Sequence, residues 1–156
     1  MPRISLRPSV LLATGFGAGY IPKAPGTAGA AEGCLLFLLL SPLPAPLYYA
    51  ATVLVTIVAI WSSGLAEKAL GVKDPPQVVI DEIAGQLIAL AAAPCQWPYV
   101  LAGFALFRLF DIVKPWPVNR INDGVPGGAG IVLDDVAAGL YAGIILQAAR
   151  MMIERL

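Results

Sequence analysis

Five carboxylates lie in stretches of the chain that are otherwise apolar, and the sequence contains no histidine. An ionised carboxylate among apolar residues is costly unless it is paired with a positive charge or holds a cation. Because three separate stretches carry this cost, we expect their carboxylates to converge on one hydrated divalent cation. The five residues are Asp81, Glu82, Asp111, Asp134 and Asp135.

The types of ligand restrict the cation. Carboxylates without histidine or cysteine select a hard ion, Mg²⁺ or Mn²⁺, which keeps several waters and is often completed by phosphate oxygens. Cys34 and Cys95 stand alone in apolar runs, so neither a zinc site nor a redox motif is indicated. All five carboxylates are therefore predicted as catalytic groups and as ligands of a hard dication, with Mg²⁺ and Mn²⁺ both open at this point.

Basic residues near these acids predict an anion site. A glycine-rich segment, 15–29, contains one lysine but lacks the spacing of a nucleotide-binding loop. Arg108 and Lys114 flank Asp111 at intervals of three, which places all three on one helix face. An ion-pair ladder is the alternative for that face. Thr27 is also predicted to cap the following helix, and a plain turn-rich loop is the alternative for the glycine-rich segment. The predicted substrate-binding residues are Lys23, Thr27, Arg108 and Lys114.

Carboxylates, a cation and basic side chains together indicate phosphoryl chemistry. A phosphohistidine intermediate is excluded because there is no histidine. The cysteine-dependent route is excluded because neither cysteine is followed by arginine six positions later, and the usual aspartyl-phosphate motif is missing because no Asp-x-Asp occurs. Hydrolysis by water activated by the cation is the remaining route, with a carboxylate as base. Direct attack by an aspartate is the weaker alternative.

The composition points to a membrane. Mean hydropathy is +0.79 and only 13% of residues are charged, whereas a soluble domain has about 25%. A net charge of zero argues against a nucleic-acid partner. The length of 156 residues predicts a single domain, 1–156. The apolar runs are helix-length and lack alternation, so we predict an all-α, membrane-embedded bundle of five to six helices, some of them short or broken.

Prolines divide the apolar runs into predicted helices. The cluster at 41–46 interrupts a long uncharged stretch, and Pro94 and Pro98 interrupt another. Gly139 and Gly143 form a step that is typical of close helix contact. The predicted helical segments are 28–40, 47–66, two short helices within 83–107, and a last helix over 132–153 that starts with the acidic pair.

Four blocks of the sequence, in order, resemble the bacterial phosphatidylglycerophosphatase A family. Phe110 to Pro117, which reads FDIVKPWP, and Gly130 to Asp135, which reads GIVLDD, are the most distinctive stretches. Ala28 departs from the tryptophan that the family often has there, and Asp74 is in doubt as a site residue. The four blocks are 19–27, 81–85, 107–117 and 127–136.

The resemblance implies an all-helical, Mg²⁺-dependent lipid phosphatase of the bacterial inner (cytoplasmic) membrane, with its active site on the cytoplasmic side. Such an enzyme hydrolyses phosphatidylglycerophosphate to phosphatidylglycerol and phosphate in phospholipid biosynthesis. Its partners are then the phospholipid and the membrane, and assembly as a homo-oligomer stays open. Three alternatives remain: a phosphatase of another phosphomonoester, a divalent-cation transport protein, and a structural membrane protein whose acids merely pair with arginines.

Overall fold

The computed structural model describes residues 7–116, 118 and 125–155. Within these residues the chain forms six α-helices and one 3₁₀ helix, without a strand, which confirms the predicted all-α class. The elements are α1 (Pro8–Ala13), the 3₁₀ helix (Gly15–Tyr20), α2 (Pro25–Leu40), α3 (Ala45–Leu70), α4 (Ile80–Ala89), α5 (Trp97–Val113) and α6 (Gly128–Ile153).

Proline and left-handed residues define the helix ends. Proline occupies the first or second position of α1, α2, α3 and α5, where its missing N–H leaves no hydrogen bond unmade. Gly71, with φ 68°, ends α3. Because α2 begins at Pro25, Thr27 lies inside its first turn and makes no capping hydrogen bond. The predicted cap is therefore wrong.

The last helix begins earlier than predicted. It starts at Gly128, so Asp134 and Asp135 lie in its second turn and are not at its start. Gly128 packs so closely against the carbonyl of Ile60 on α3 that a Cβ would overlap it. Contact with α3 thus extends the helix into a glycine-rich segment that would otherwise favour a turn.

The helices run up and down between two ends of the bundle. We call the end where α2, α4 and α6 begin and α5 finishes the proximal end, since residues of all four helices meet there around one cleft. The turns after α2 and α4 meet at the opposite, distal end, where the Ser41 hydroxyl donates to Cys95 Sγ at 3.1 Å. The predicted division of 83–107 into two helices is confirmed, although α4 begins before this range, at Ile80, and α5 continues beyond it to Val113.

Helix α4 is the centre of the bundle. Eight of its ten residues are buried. Gly139 on α6 lies against the backbone carbonyl of Gly85, and a Cβ at Gly33 on α2 would stand 2.6 Å from Cβ of Gln86. The close contact predicted for the glycine step of α6 is confirmed at Gly139.

Two helices, α3 and α6, are long and apolar enough to cross a membrane by length and composition. Each has 26 residues and a mean hydropathy of 1.7 over its most apolar window. On α3, large apolar side chains such as Leu54, Ile57 and Trp61 are more than half exposed. An outward apolar surface of this kind is suited to lipid and poorly suited to water.

Candidate active site

The carboxylates predicted from three separate stretches converge at the proximal end. A cleft of about 520 Å³ opens there between α2, α4, α5 and α6. The structure confirms the predicted convergence, and the roles of the individual residues stay predictions. All nine predicted site residues line the cleft, namely Lys23, Thr27, Asp81, Glu82, Arg108, Asp111, Lys114, Asp134 and Asp135.

The first turn of α4 supplies two of the acids. The N-terminal end of a helix favours negative charge, yet Asp81 is buried, with 7% of its surface exposed. Asp81 Oδ1 and Glu82 Oε2 are buried and have no hydrogen-bond partner within the described part of the chain. Oxygens of this kind normally find a partner, so both are available to a ligand.

Three acids form a compact cluster. Asp81, Glu82 and Asp135 each offer one oxygen, and these three oxygens lie within 4.8 Å of one another. Burial raises the pKa of Asp81 well above its ordinary value, and the neighbouring carboxylates of Glu82 and Asp135 raise it further. Burial likewise raises the pKa of Glu82. A hard dication would remove this repulsion and satisfy the free oxygens, so the three residues fit Mg²⁺.

The other two acids are held by positive charges. Arg108 Nη1 donates to Asp111 Oδ2 at 2.5 Å, one helical turn apart. Lys114 pairs with Asp134, whose other oxygen accepts the Asp135 N–H at 3.0 Å. The ion-pair ladder considered for α5 therefore forms only at its first step, because Lys114 pairs with α6. That all five acids bind the cation stays a prediction, and three have the geometry for it.

The electrostatics of Lys114 follow from its position between helices. Burial alone would lower the pKa of this amine, but its hydrogen bond to Asp134 and the surrounding carboxylates raise it above the ordinary value. Lys114 is thus held in its charged form beside the cluster. Arg108 Nη1 lies 4.0 Å from Glu82 Oε1, which places a second fixed positive charge on the cluster's other side.

Backbone strain is concentrated around the cleft. Lys23, Asp74 and Lys114 have φ values of 76°, 48° and 45° and all three line the cleft. Residues other than glycine rarely adopt this left-handed region, and such residues are enriched at functional sites. Asp74, which the resemblance left in doubt, is therefore part of the cleft wall.

Gly26 is a site residue that the sequence reasoning did not single out. A Cβ at this position would overlap the Glu82 carboxylate and stand 3.0 Å from Arg108 Nη1. The absence of a side chain lets α2 approach the charged groups of α4 and α5. The glycine-rich segment could have indicated this close helix contact, but from the sequence it was interpreted as a backbone site for an anion. Lys23 and Thr27 are exposed at the mouth of the cleft.

The arrangement combines an oxygen cluster suited to a dication with fixed positive charges at the same opening. Together these groups can bind and polarise a phosphate monoester, whose charge needs compensation during transfer. Within the described residues the cleft contains neither a cysteine nor a serine, and Thr27 is its one hydroxyl side chain.

Comparison with known proteins gives the same family name for the matching family model and for two relatives. The family model described as Phosphatidylglycerophosphatase A matches residues 11–150. A Haemophilus influenzae protein named phosphatidylglycerophosphatase A is 41% identical over 92% of this chain and 89% of its own length. The Escherichia coli protein of the same name is 39% identical over 87% of this chain and 80% of its own.

A third relative has a different name. A Bacteroides thetaiotaomicron protein, provisionally named phosphatidylinositol-3-phosphatase, is 44% identical over 98% of this chain and 99% of its own length. No solved structure matches the chain. All three relatives are named as phosphatases of phospholipids, and their names differ in the headgroup.

Proposed function

The chain belongs to the phosphatidylglycerophosphatase A family of phosphatases, and we propose that it hydrolyses phosphatidylglycerophosphate to phosphatidylglycerol and phosphate, with Mg²⁺, in phospholipid biosynthesis. The observation that carries the proposal is the buried cluster of Asp81, Glu82 and Asp135, with free oxygens beside two fixed positive charges. This combination suits a phosphate monoester and a dication together.

Asp81, Glu82 and Asp135 would hold the cation. When bound, Mg²⁺ neutralises charge on the phosphate oxygens and makes water a better nucleophile. Burial keeps competing solvent away from these carboxylates and strengthens their electrostatic interactions. The cluster is therefore prepared for a cation before the substrate arrives.

The remaining residues bind the phosphate and handle the proton. Lys23, Arg108 and Lys114 attract and orient the anion, and Thr27 at the mouth of the cleft can donate to an oxygen. Asp111 and Asp134 keep Arg108 and Lys114 in position through their ion pairs. The same two carboxylates stand next to the cluster, so they are the candidates to accept a proton from the attacking water.

The distribution of charge supports a site on the cytoplasmic side of the inner membrane. The turns at the distal end, 41–44 and 90–96, contain no lysine or arginine. The proximal end and the segments next to it carry five of the described basic residues, namely Lys23, Lys68, Lys73, Arg108 and Lys114. The distal end carries Arg150, which donates to the Ala92 carbonyl at 3.2 Å, and the nearby Arg155. Positive residues favour the cytoplasmic side. With α3 and α6 in lipid, the cleft would face phospholipid headgroups there.

A second candidate substrate is phosphatidylinositol 3-phosphate, because a relative of near-equal length carries that activity in its provisional name. The reacting group, a phosphomonoester on a polyol, is the same in both lipids. The substrate is therefore decided by the part of the headgroup beyond the phosphate.

The test is phosphate release by the purified full chain from each of the two lipids in mixed micelles, with Mg²⁺ and then with a chelator. We expect release from phosphatidylglycerophosphate that stops with chelator. Asp81→Asn, Glu82→Gln and Asp135→Asn should each lower kcat by about a hundredfold or more. Glu154→Gln, at an exposed ion pair far from the cleft, is the matched control and should be unchanged.

Three results would contradict the proposal. Phosphate release that continues at the same rate in the presence of chelator would show that the reaction needs no dication. Faster phosphate release from phosphatidylinositol 3-phosphate than from phosphatidylglycerophosphate would identify the inositol lipid as the preferred substrate. No release from any phosphomonoester, together with normal folding, would favour the structural or transport alternatives.

A further inference from the structure

A second pocket adjoins the cleft on the side of the 3₁₀ helix. Its volume is about 300 Å³, and it shares Lys23, Pro25 and Pro76 with the cleft. The cleft and this pocket therefore adjoin at these three residues. The residues specific to the second pocket are Gly19, Tyr20, Ile21 and Gln77. We call it the side pocket.

The side pocket is built on a firmly docked element. Gly19 lies directly against the backbone carbonyl of Gln77, where a Cβ would overlap it. The backbone N–H groups of Gly19 and Ile21 donate to Thr14 and Ala18, each at 2.9 Å. The 3₁₀ helix is therefore fixed to the segment that leads into α4, and Tyr20 is carried at its end.

The hydroxyl group of Tyr20 lacks the hydrogen bond that a buried polar group normally makes. Its hydroxyl is buried and has no hydrogen-bond partner within the described residues. Buried hydroxyls are nearly always hydrogen-bonded, so an unpaired one next to a pocket indicates a missing partner. Tyr20 and Gln77 contribute groups without net charge, in contrast to the charged cleft. Such groups suit an alcohol better than a phosphate.

Resting on the proposed function, we propose that the side pocket binds the polyol part of the phospholipid headgroup, with the Tyr20 hydroxyl hydrogen-bonded to a polyol hydroxyl. In both candidate lipids a polyol links the phosphomonoester to the phosphodiester. With the monoester at the carboxylate cluster, the polyol must lie close by, and Lys23 stands at the junction of the two spaces. The side pocket thereby determines which headgroup is accepted.

The test separates the polyol from the phosphate. Tyr20→Phe removes only the hydroxyl, and it should not harm folding because that hydroxyl makes no hydrogen bond within the described part of the chain. With the preferred phospholipid we expect kcat/KM to fall about tenfold, mostly through KM, as for the loss of one hydrogen bond. With p-nitrophenyl phosphate, which has no polyol, we expect no change. Tyr49→Phe, at an exposed tyrosine on α3, is the matched control.

Equal losses on both substrates, or no loss on the phospholipid, would overturn the side-pocket proposal. Calorimetric binding of the deacylated headgroup, which requires no turnover, gives the same comparison between wild type and Tyr20→Phe. A wild type that releases phosphate only from p-nitrophenyl phosphate would end the proposed function, whereas equal headgroup binding by both proteins would end the inference about Tyr20.

Discussion

The charged form of Asp81 is unfavourable in the protein without a cation, yet it is the form that a cation would need as a ligand. It is buried in the first turn of α4, with one oxygen unpartnered and two carboxylates close by. Each of these features disfavours its charged form. A bound dication would favour the charged form instead, because it would pair with all three carboxylates at once.

The raised pKa of Asp81 predicts the direction in which cation binding depends on pH. The cation needs the ionised carboxylate, and below the raised pKa a proton must leave first, so affinity should increase as pH rises from the ordinary pKa of an aspartate towards the raised one. Each displaced proton contributes up to about one decade per pH unit. Titration calorimetry with Mg²⁺ across this range measures the slope. Asp81→Asn should weaken Mg²⁺ binding and reduce the slope of affinity against pH. An affinity of the wild type that does not change with pH would contradict the prediction.

The residues that form the site could be predicted from the sequence, but the roles that they divide among themselves could not. Carboxylates in apolar runs were conspicuous in the sequence, and all five line the cleft. The pairing of Lys114 with Asp134 joins residues twenty positions apart. It depends on the left-handed backbone at Lys114 and on the packing of α5 against α6, neither of which a local pattern encodes.

Among the elements, α4 depends on close contact with its neighbours. Gly139 allows α6 to approach the Gly85 carbonyl, and Asp135, one turn earlier on α6, is thereby brought to Asp81 and Glu82. The spacing between two helices therefore controls the geometry of the three-acid cluster.

This contact predicts different outcomes for the two glycines of the step. At Gly139 a Cβ would overlap the Gly85 carbonyl, so Gly139→Ala should destabilise the protein by about 1–3 kcal/mol and lower activity. At Gly143 the nearest atoms would be 3.4 Å away, an ordinary contact, so Gly143→Ala should be neutral or slightly stabilising. Denaturant unfolding in detergent measures both. Equal effects at the two positions would contradict the prediction.

Prolines in the sequence located the breaks between α2 and α3 and between α4 and α5, whereas the glycine-rich start of α6 was misplaced. The start of α6 was placed four residues late because the glycines at 127–130 are typical of a turn. In the structure Gly128 is helical because only a residue without Cβ fits against α3. Tertiary contact overrides the local preference here, and it became visible only once the two helices were placed together.

For the molecule as a whole, the asymmetry of charge between the two ends predicts an orientation. Lys73 lies in the exposed loop between α3 and α4 and Cys95 in the exposed distal turn. In a variant without native cysteines, Lys73→Cys should react with a membrane-impermeant maleimide only in inside-out vesicles. Retaining Cys95 alone gives the matched distal probe, which should not react in those vesicles. The reverse pattern of labelling would place the active site outside the cytoplasm.

The shortness of α4 has a consequence for biogenesis. Its ten residues extend about 15 Å, too little to cross a bilayer, and two acids at its start oppose insertion on its own. Its largest partner surfaces include α6, which is synthesised after it. The three-acid cluster, to which α6 contributes Asp135, can therefore form only after α6 has been synthesised.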